Sequence, residues 1–190
     1  MPDSIDAELK AALVEHLLKH SVRRGDFTLK SGKKSPYFLD SKQTACRPDG
    51  MLLVARAALS VMPADAVGIG GLTMGADPVA YATGVYAATI GRDLKVFAVR
   101  KEVKDHGGGG RVAGALDPGD KVVITEDTSS RGTSILEAAE AVRAEGAEPV
   151  LMLALVDRGG TAVDYAAKAG LRFVALVTAP DLGFDYDGPG

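Results

Sequence analysis

An α/β fold on a central parallel sheet is the class this chain predicts, on three observations. Short apolar runs recur at residues 67–69, 96–99, 122–125, 150–156 and 173–177. Two of them lead into alanine-rich stretches of helical periodicity that stop at Gly146 and Gly170. The run at 122–125 also ends in two adjacent carboxylates, Glu126 and Asp127, followed by a Ser/Thr/Gly loop. Strands buried on both faces read as continuous apolar runs, and repeated strand–helix units wind into a parallel sheet covered on both sides.

The elements follow in order. Residues 5–20 predict a helix, because Leu9, Leu13 and Leu17 fall on one stripe. Residues 27–30 and 37–40, joined by 31–34, predict a β-hairpin. Residues 48–62 predict a second helix, with Pro48 in the first turn where a missing N–H costs nothing. The run 67–69 precedes a helix opened by Pro78, whereas 96–99 precedes a long glycine-bearing loop. The runs 122–125 and 150–156 each lead into a helix, and 173–177 closes the sheet. Residues 181–190 are expected to form a loose tail. No repeat or domain-sized linker interrupts the 190 residues, a length suited to one domain with a substantial core.

Composition excludes several classes of function. A formal net charge of −3 argues against a nucleic-acid binder held by phosphate contacts. One cysteine, Cys46, rules out an internal disulfide framework, fits a reducing cytoplasm and by default is a buried thiol. The first residues lack the basic and apolar regions of a signal peptide, and no apolar run reaches the length of a membrane span. The expectation is a soluble cytoplasmic protein with neither nucleic-acid nor membrane partner. His16 and His20 have the spacing of a two-histidine metal site, but no third ligand accompanies them, so ordinary histidines are expected.

Function is written most densely in residues 122–134, from Val122 through Thr125, Glu126, Asp127, Thr128, Ser129, Ser130, Arg131, Gly132 and Thr133 to Ser134. A loop entering a helix N-terminus offers backbone N–H groups and a partial positive charge to a phosphate. The two carboxylates upstream suit neutral hydroxyls, as on a ribose, or a bridging Mg²⁺. Phosphate and diol together describe a sugar phosphate. An ordinary strand–turn–helix capped by the acids is the competing reading of this motif alone. A second stretch, residues 100–111, gathers Arg100, Lys101, Lys104, His106 and Arg111 around four consecutive glycines. Glycines lose much backbone entropy on ordering, so a mobile cationic lid that closes over a polyanion is expected. A solvated linker with incidental charge is the bland alternative.

The first motif resembles the phosphoribosyl-diphosphate (PRPP) signature of the type I phosphoribosyltransferases. The pattern Arg-Lys-Glu-x-Lys-Asp-His-Gly, carried here from Arg100 to Gly107, is similar to the catalytic loop of the orotate phosphoribosyltransferases. Three further stretches match that family in order: residues 27–38, residues 71–78, and Asp157-Arg158. The resemblance implies the type I phosphoribosyltransferase fold, a central parallel sheet flanked by helices in one domain over 1–190. A small hood, mainly residues 1–45 with the C-terminal tail, would contain the hairpin, and the catalytic loop would be mobile.

The implied activity is transfer of the ribose 5-phosphate group from PRPP to orotate, giving orotidine 5′-monophosphate and diphosphate in pyrimidine synthesis. Mg²⁺ would be the cofactor, bound mainly through PRPP near Glu126 and Asp127 rather than by protein side chains alone. A homodimer with shared active sites is implied, the loop reaching into the neighbouring subunit. PRPP would be bound by Arg100, Lys101, Lys104 and His106, with Glu126, Asp127, Thr128, Ser129, Ser130, Arg131, Gly132, Thr133 and Ser134. Lys104, His106 and Asp127 would be catalytic. Orotate would be bound by Lys30, Tyr37, Phe38, Ser130 and Arg158, although core packing is the default reading of Tyr37 and Phe38 without the resemblance. A guanidinium at position 158 can grip a carboxylate that uracil lacks. The length leaves no room for the decarboxylase domain fused to this enzyme in some organisms.

Three positions depart from the family pattern. Gly75 stands where some members carry lysine, Arg131 replaces a small residue before the signature glycine, and Gly108 stands where some relatives carry Glu. Two other functions compete: a type I transferase for uracil or a purine, and a non-enzymatic regulator that only senses PRPP.

Overall fold

The structure, a computed structural model, describes residues 5–28, 32–102 and 110–188. Its first helix, α1 (Ala7–His20), starts where Asp6 caps it, the carboxylate accepting from the N–H groups of Glu8 and Leu9. The chain then turns at once into β1 (Val22–Thr28), which pairs antiparallel with β2 (Lys34–Leu39) as a separate two-stranded sheet. The strand thus begins earlier than residue 27, its polar residues 23–26 hiding it from an apolar pattern. The short α2 (Lys42–Ala45), which periodicity does not reveal, precedes α3 (Pro48–Val61).

The main sheet has six strands in the order β5-β4-β3-β6-β7-β8. These are β3 (Gly68–Leu72), β4 (Lys95–Val99), β5 (Val112–Gly114), β6 (Lys121–Ser129), β7 (Glu148–Asp157) and β8 (Arg172–Thr178). All neighbours run parallel except β5, which lies antiparallel on the β4 edge. Between them run α4 (Ala76–Thr89), α5 (Thr133–Ala144) and α6 (Ala162–Lys168). Pro78 sits two residues inside α4 rather than at its start, still within the turn whose N–H groups have no helical partner.

Alternate strand residues point to opposite faces, and the core divides accordingly. Val123, Leu151, Leu153 and Leu155 pack with α1, α3 and α4, while Val122, Ile124, Met152 and Ala154 pack with α5 and α6. Leu9, Leu13 and Leu17 are buried as their spacing predicts.

Three expectations need correction. First, β6 does not stop at Thr125. It remains paired with β7 through Ser129↔Asp157, so the acid pair belongs to the strand and the loop begins at Ser130. The long partner strand β7 supplies the backbone hydrogen bonds that overrule the polar sequence. Second, the tail is not loose as far as residue 188. Asp181 bonds to Thr178 and Lys10, Phe184 stacks on Tyr37, and Asp187 bonds to Arg158. Third, Cys46 is exposed at the end of α2 rather than buried, because the four-residue helix turns it away from the core. Among the described residues no helix is long and apolar enough to cross a membrane.

Candidate active site

A cavity of about 530 Å³ opens beyond the carboxyl ends of β6 and β7, where ligands of parallel sheets are held. Glu126, Thr128 and the segment from Ser129 to Ser134, which runs from the end of β6 into the start of α5, line it, with Phe38, Arg158 and Asp187. Gly132 sits at φ +83°, a conformation that glycine adopts without strain, and turns the loop into α5. No side chain caps that helix, so its first N–H groups remain available to an anion. The Ser129 hydroxyl, also on the wall, is buried without a hydrogen-bond partner. A buried orphan of this kind is costly unless a ligand or water completes it.

The acid pair is buried, Glu126 at 8% and Asp127 at 6% exposure. Burial, reinforced by the hydrogen bond to Asp127, pushes the Glu126 carboxyl up to about 8. For Asp127 burial also pushes upward, but the bonds from Lys42, Glu126 and Ser41 outweigh it and hold the carboxyl below its ordinary value. The pair therefore carries one proton, on Glu126, and one charge, on Asp127. Lys42 Nζ lies 2.5 Å from Asp127 Oδ2, Ser41 Oγ lies 2.8 Å from the same oxygen, and the Thr128 hydroxyl bonds to Ser41. Lys42 was invisible to sequence reasoning. It sits on the overlooked α2, 85 positions from the acid it serves, and no local pattern singles it out.

Glycine at position 75 is explained by the same acids. A Cβ there would collide with the Glu126 carboxyl and come within 2.7 Å of Asp127 Oδ1. The backbone of the short link from β3 to α4 thus packs directly on the pair at Gly75, leaving no space for the lysine some relatives carry.

Around Arg158 the aromatic pair of β2 divides by strand alternation. Tyr37 faces inward at 1% exposure, whereas Phe38 faces outward at 42% and lines the cavity. The Tyr37 hydroxyl lies 3.3 Å from Arg158 Nε, and the guanidinium also sits over the Tyr37 ring. Core packing describes Tyr37 and a cavity wall describes Phe38.

The remaining expected residues are more scattered. Arg100 and Lys101 do not line the cavity; the Arg100 N–H donates to the Arg111 carbonyl, and Arg111 Nε returns a bond to the Arg100 carbonyl. Arg131 is exposed on the cavity rim. Lys30, Lys104, His106 and Gly108 lie outside the described residues. His16 is an ordinary buried histidine, with Nδ1 at 3.1 Å from the Thr44 hydroxyl. Among the described residues, no group of three or more His, Cys, Asp or Glu side chains is placed to hold a metal ion.

No protein-family model matches the chain. The orotate phosphoribosyltransferase of Rhodopirellula baltica is 40% identical to it over 190 residues, covering 96% of this chain and 98% of that protein. Among solved structures, orotate phosphoribosyltransferase of Mycobacterium tuberculosis with Fe(III) dicitrate superposes with a TM-score of 0.83 at 34% identity. That match covers 93% of this chain and 99% of the other. A structure of the same enzyme with PRPP gives a TM-score of 0.77 at 33% identity, again covering 93% and 99%.

Proposed function

The chain belongs to the orotate phosphoribosyltransferase family, and on that premise we propose how its cavity carries out the transfer from PRPP to orotate. The observation that carries this reading is one cavity lined by an uncapped helix start, the protonated member of the acid pair, Glu126, and a buried guanidinium, with the charged member, Asp127, hydrogen-bonded behind it. The start of α5 and the turn of residues 130–132 before it take the 5′-phosphate of PRPP. Glu126, as a neutral carboxyl, and Asp127, as a carboxylate, hold the ribose hydroxyls. Arg158 takes the orotate carboxylate, while Phe38 packs against the ring and Lys30 approaches it.

In the transfer, the bond from C1 of the ribose to the diphosphate oxygen breaks with its electrons leaving on diphosphate. The sugar acquires oxocarbenium character, and the anionic orotate nitrogen then forms the new bond to C1. Arg100, Lys101, Lys104 and His106 stabilise charge growing on the leaving diphosphate, where preorganised cations act most strongly. In the homodimer the loop bearing them serves the partner's site.

The donor set fits Mg²⁺ only in company with the substrate. Mg²⁺ favours oxygen ligands and commonly combines one or two carboxylates with substrate oxygens, and the acid pair offers hard oxygens but one proton and one ion-paired carboxylate. When bound, Mg²⁺ supplies charge neutralisation to the diphosphate. Asp127 remains anchored by Lys42 and Ser41 on one oxygen.

The test is turnover with PRPP and Mg²⁺ against a panel of orotate, uracil, hypoxanthine and adenine. Orotate is expected to be the only good acceptor; comparable turnover with uracil would remove Arg158 from its role.

A further inference from the structure

Arg158 is already occupied by a carboxylate of this chain. Asp187, on the C-terminal tail, places Oδ2 at 2.7 Å from Arg158 Nη2, with the side chains 11% and 10% exposed. The Asp187 N–H also donates to the Arg158 carbonyl at 2.8 Å. The tail is built to deliver this group. Phe184 stacks on Tyr37 with ring centroids 4.0 Å apart, the Tyr186 ring packs on Gly160, and Lys33 bonds to the Asp187 carbonyl. Asp187 and Arg158 line the same cavity.

We propose that Asp187 is a displaceable stand-in for the substrate carboxylate, pairing with Arg158 between turnovers and yielding it to the carboxylate of the incoming pyrimidine. This rests on Arg158 being the carboxylate contact of the base site. An unpaired guanidinium at this depth is costly, so the site needs a partner for it at every stage. Binding is then an exchange of one carboxylate for another rather than the gain of a new ion pair. The product carries the same carboxylate as orotate, so the returning Asp187 assists its release. A base without a carboxylate must leave the Arg158–Asp187 pair in place or strand the charge.

Asp187→Asn tests the exchange, because the amide keeps the shape but loses the charge that makes such hydrogen bonds about twice as strong as neutral ones. Relative to the unaltered protein, the variant is expected to lower the KM for orotate and the inhibition constant of orotidine 5′-monophosphate roughly three- to tenfold. The KM for PRPP and the inhibition constant of uracil are expected to stay within about twofold, below the worth of one charged hydrogen bond. In a background of Arg158→Ala, Asp187→Asn should have no further effect on orotate. If the variant is less stable, the rise in Tm produced by saturating orotate gives a second reading, and it should exceed that of the unaltered protein. An orotate KM that is unchanged or higher in Asp187→Asn, while Arg158→Ala raises it, overturns the exchange and leaves the base-site assignment standing. An orotate KM unaffected by Arg158→Ala overturns both.

Discussion

Glu126→Gln isolates the proton that the acid pair holds. Burial and the bond to Asp127 raise this carboxyl from 4.5 to about 8, so between those values the folded chain keeps a proton that the unfolded chain releases. The resulting stability is fully present below the unfolded value and is lost as pH rises through about 8. From pH 6 to pH 9 the loss has a ceiling of about 3 kcal/mol, since each tenfold difference in proton affinity between the folded and unfolded chains is worth about 1.4 kcal/mol. For a chain of this size that corresponds to a Tm change of up to roughly 10 °C. Glutamine mimics the protonated acid in shape, can donate to Asp127 in its place, and does not titrate. Melting curves of both proteins across pH 6–9 should therefore diverge, the unaltered chain falling about 5 °C further than the variant, half of that ceiling. Other carboxyls with raised values, half-buried Asp77 and buried Asp157, are present in both proteins and cancel in the difference. Parallel Tm profiles would refute the assignment of the proton to Glu126.

Lys104→Ala is expected to lower turnover by on the order of 10²–10³ with PRPP saturating, the usual cost of one donor to transition-state charge; near-normal turnover would remove it from the mechanism. If the loop serves the partner's site, reassembling that variant with Asp127→Asn should recover up to roughly a quarter of full activity, as one intact site in each mixed dimer. Recovery no greater than the sum of the parents, with exchange confirmed by mass, would assign each loop to its own subunit. Gly75→Ala is expected to cost roughly 1–3 kcal/mol in urea unfolding and to raise the KM for PRPP, because its methyl group meets the Glu126 carboxyl. An unshifted urea midpoint would show that the loop moves aside freely.

What was legible in the sequence is what short-range pattern records. The apolar runs of β6 and β7, the stripe of Leu9, Leu13 and Leu17, and the glycine ending α5 all follow from local periodicity and backbone freedom. The loop after β6 was legible because strand, acids, glycine and helix follow one another without interruption. The contacts that tune the site were not. Lys42 meets Asp127 across 85 positions, and Arg158 meets Tyr37 across 121. The Ser129 end of β6 was missed because its residues look like a loop until β7 is laid beside them. The folded tail was missed for a related reason: residues 181–188 have no periodic pattern, and each contact that orders them comes from elsewhere in the chain.

The site shows one arrangement applied twice. Asp127 is paired with Lys42, Arg158 is paired with Asp187, and Glu126 avoids a charge by keeping its proton. Each of these buried ionisable groups is thus neutralised within the chain itself, as burial demands, since a lone buried charge is more costly than the best surface pair is worth. At Glu126, Asp127 and Arg158, a substrate that brings hydroxyls and a carboxylate would not meet waiting charges. It would meet existing pairs whose bonds must be traded, whereas the uncapped start of α5 and the orphaned Ser129 hydroxyl can take its oxygens without breaking a bond. Net affinity for the 5′-phosphate should accordingly come from the segment of residues 129–134. Arg158 contributes mainly discrimination, because only a ligand with matching charge can replace the partner it displaces.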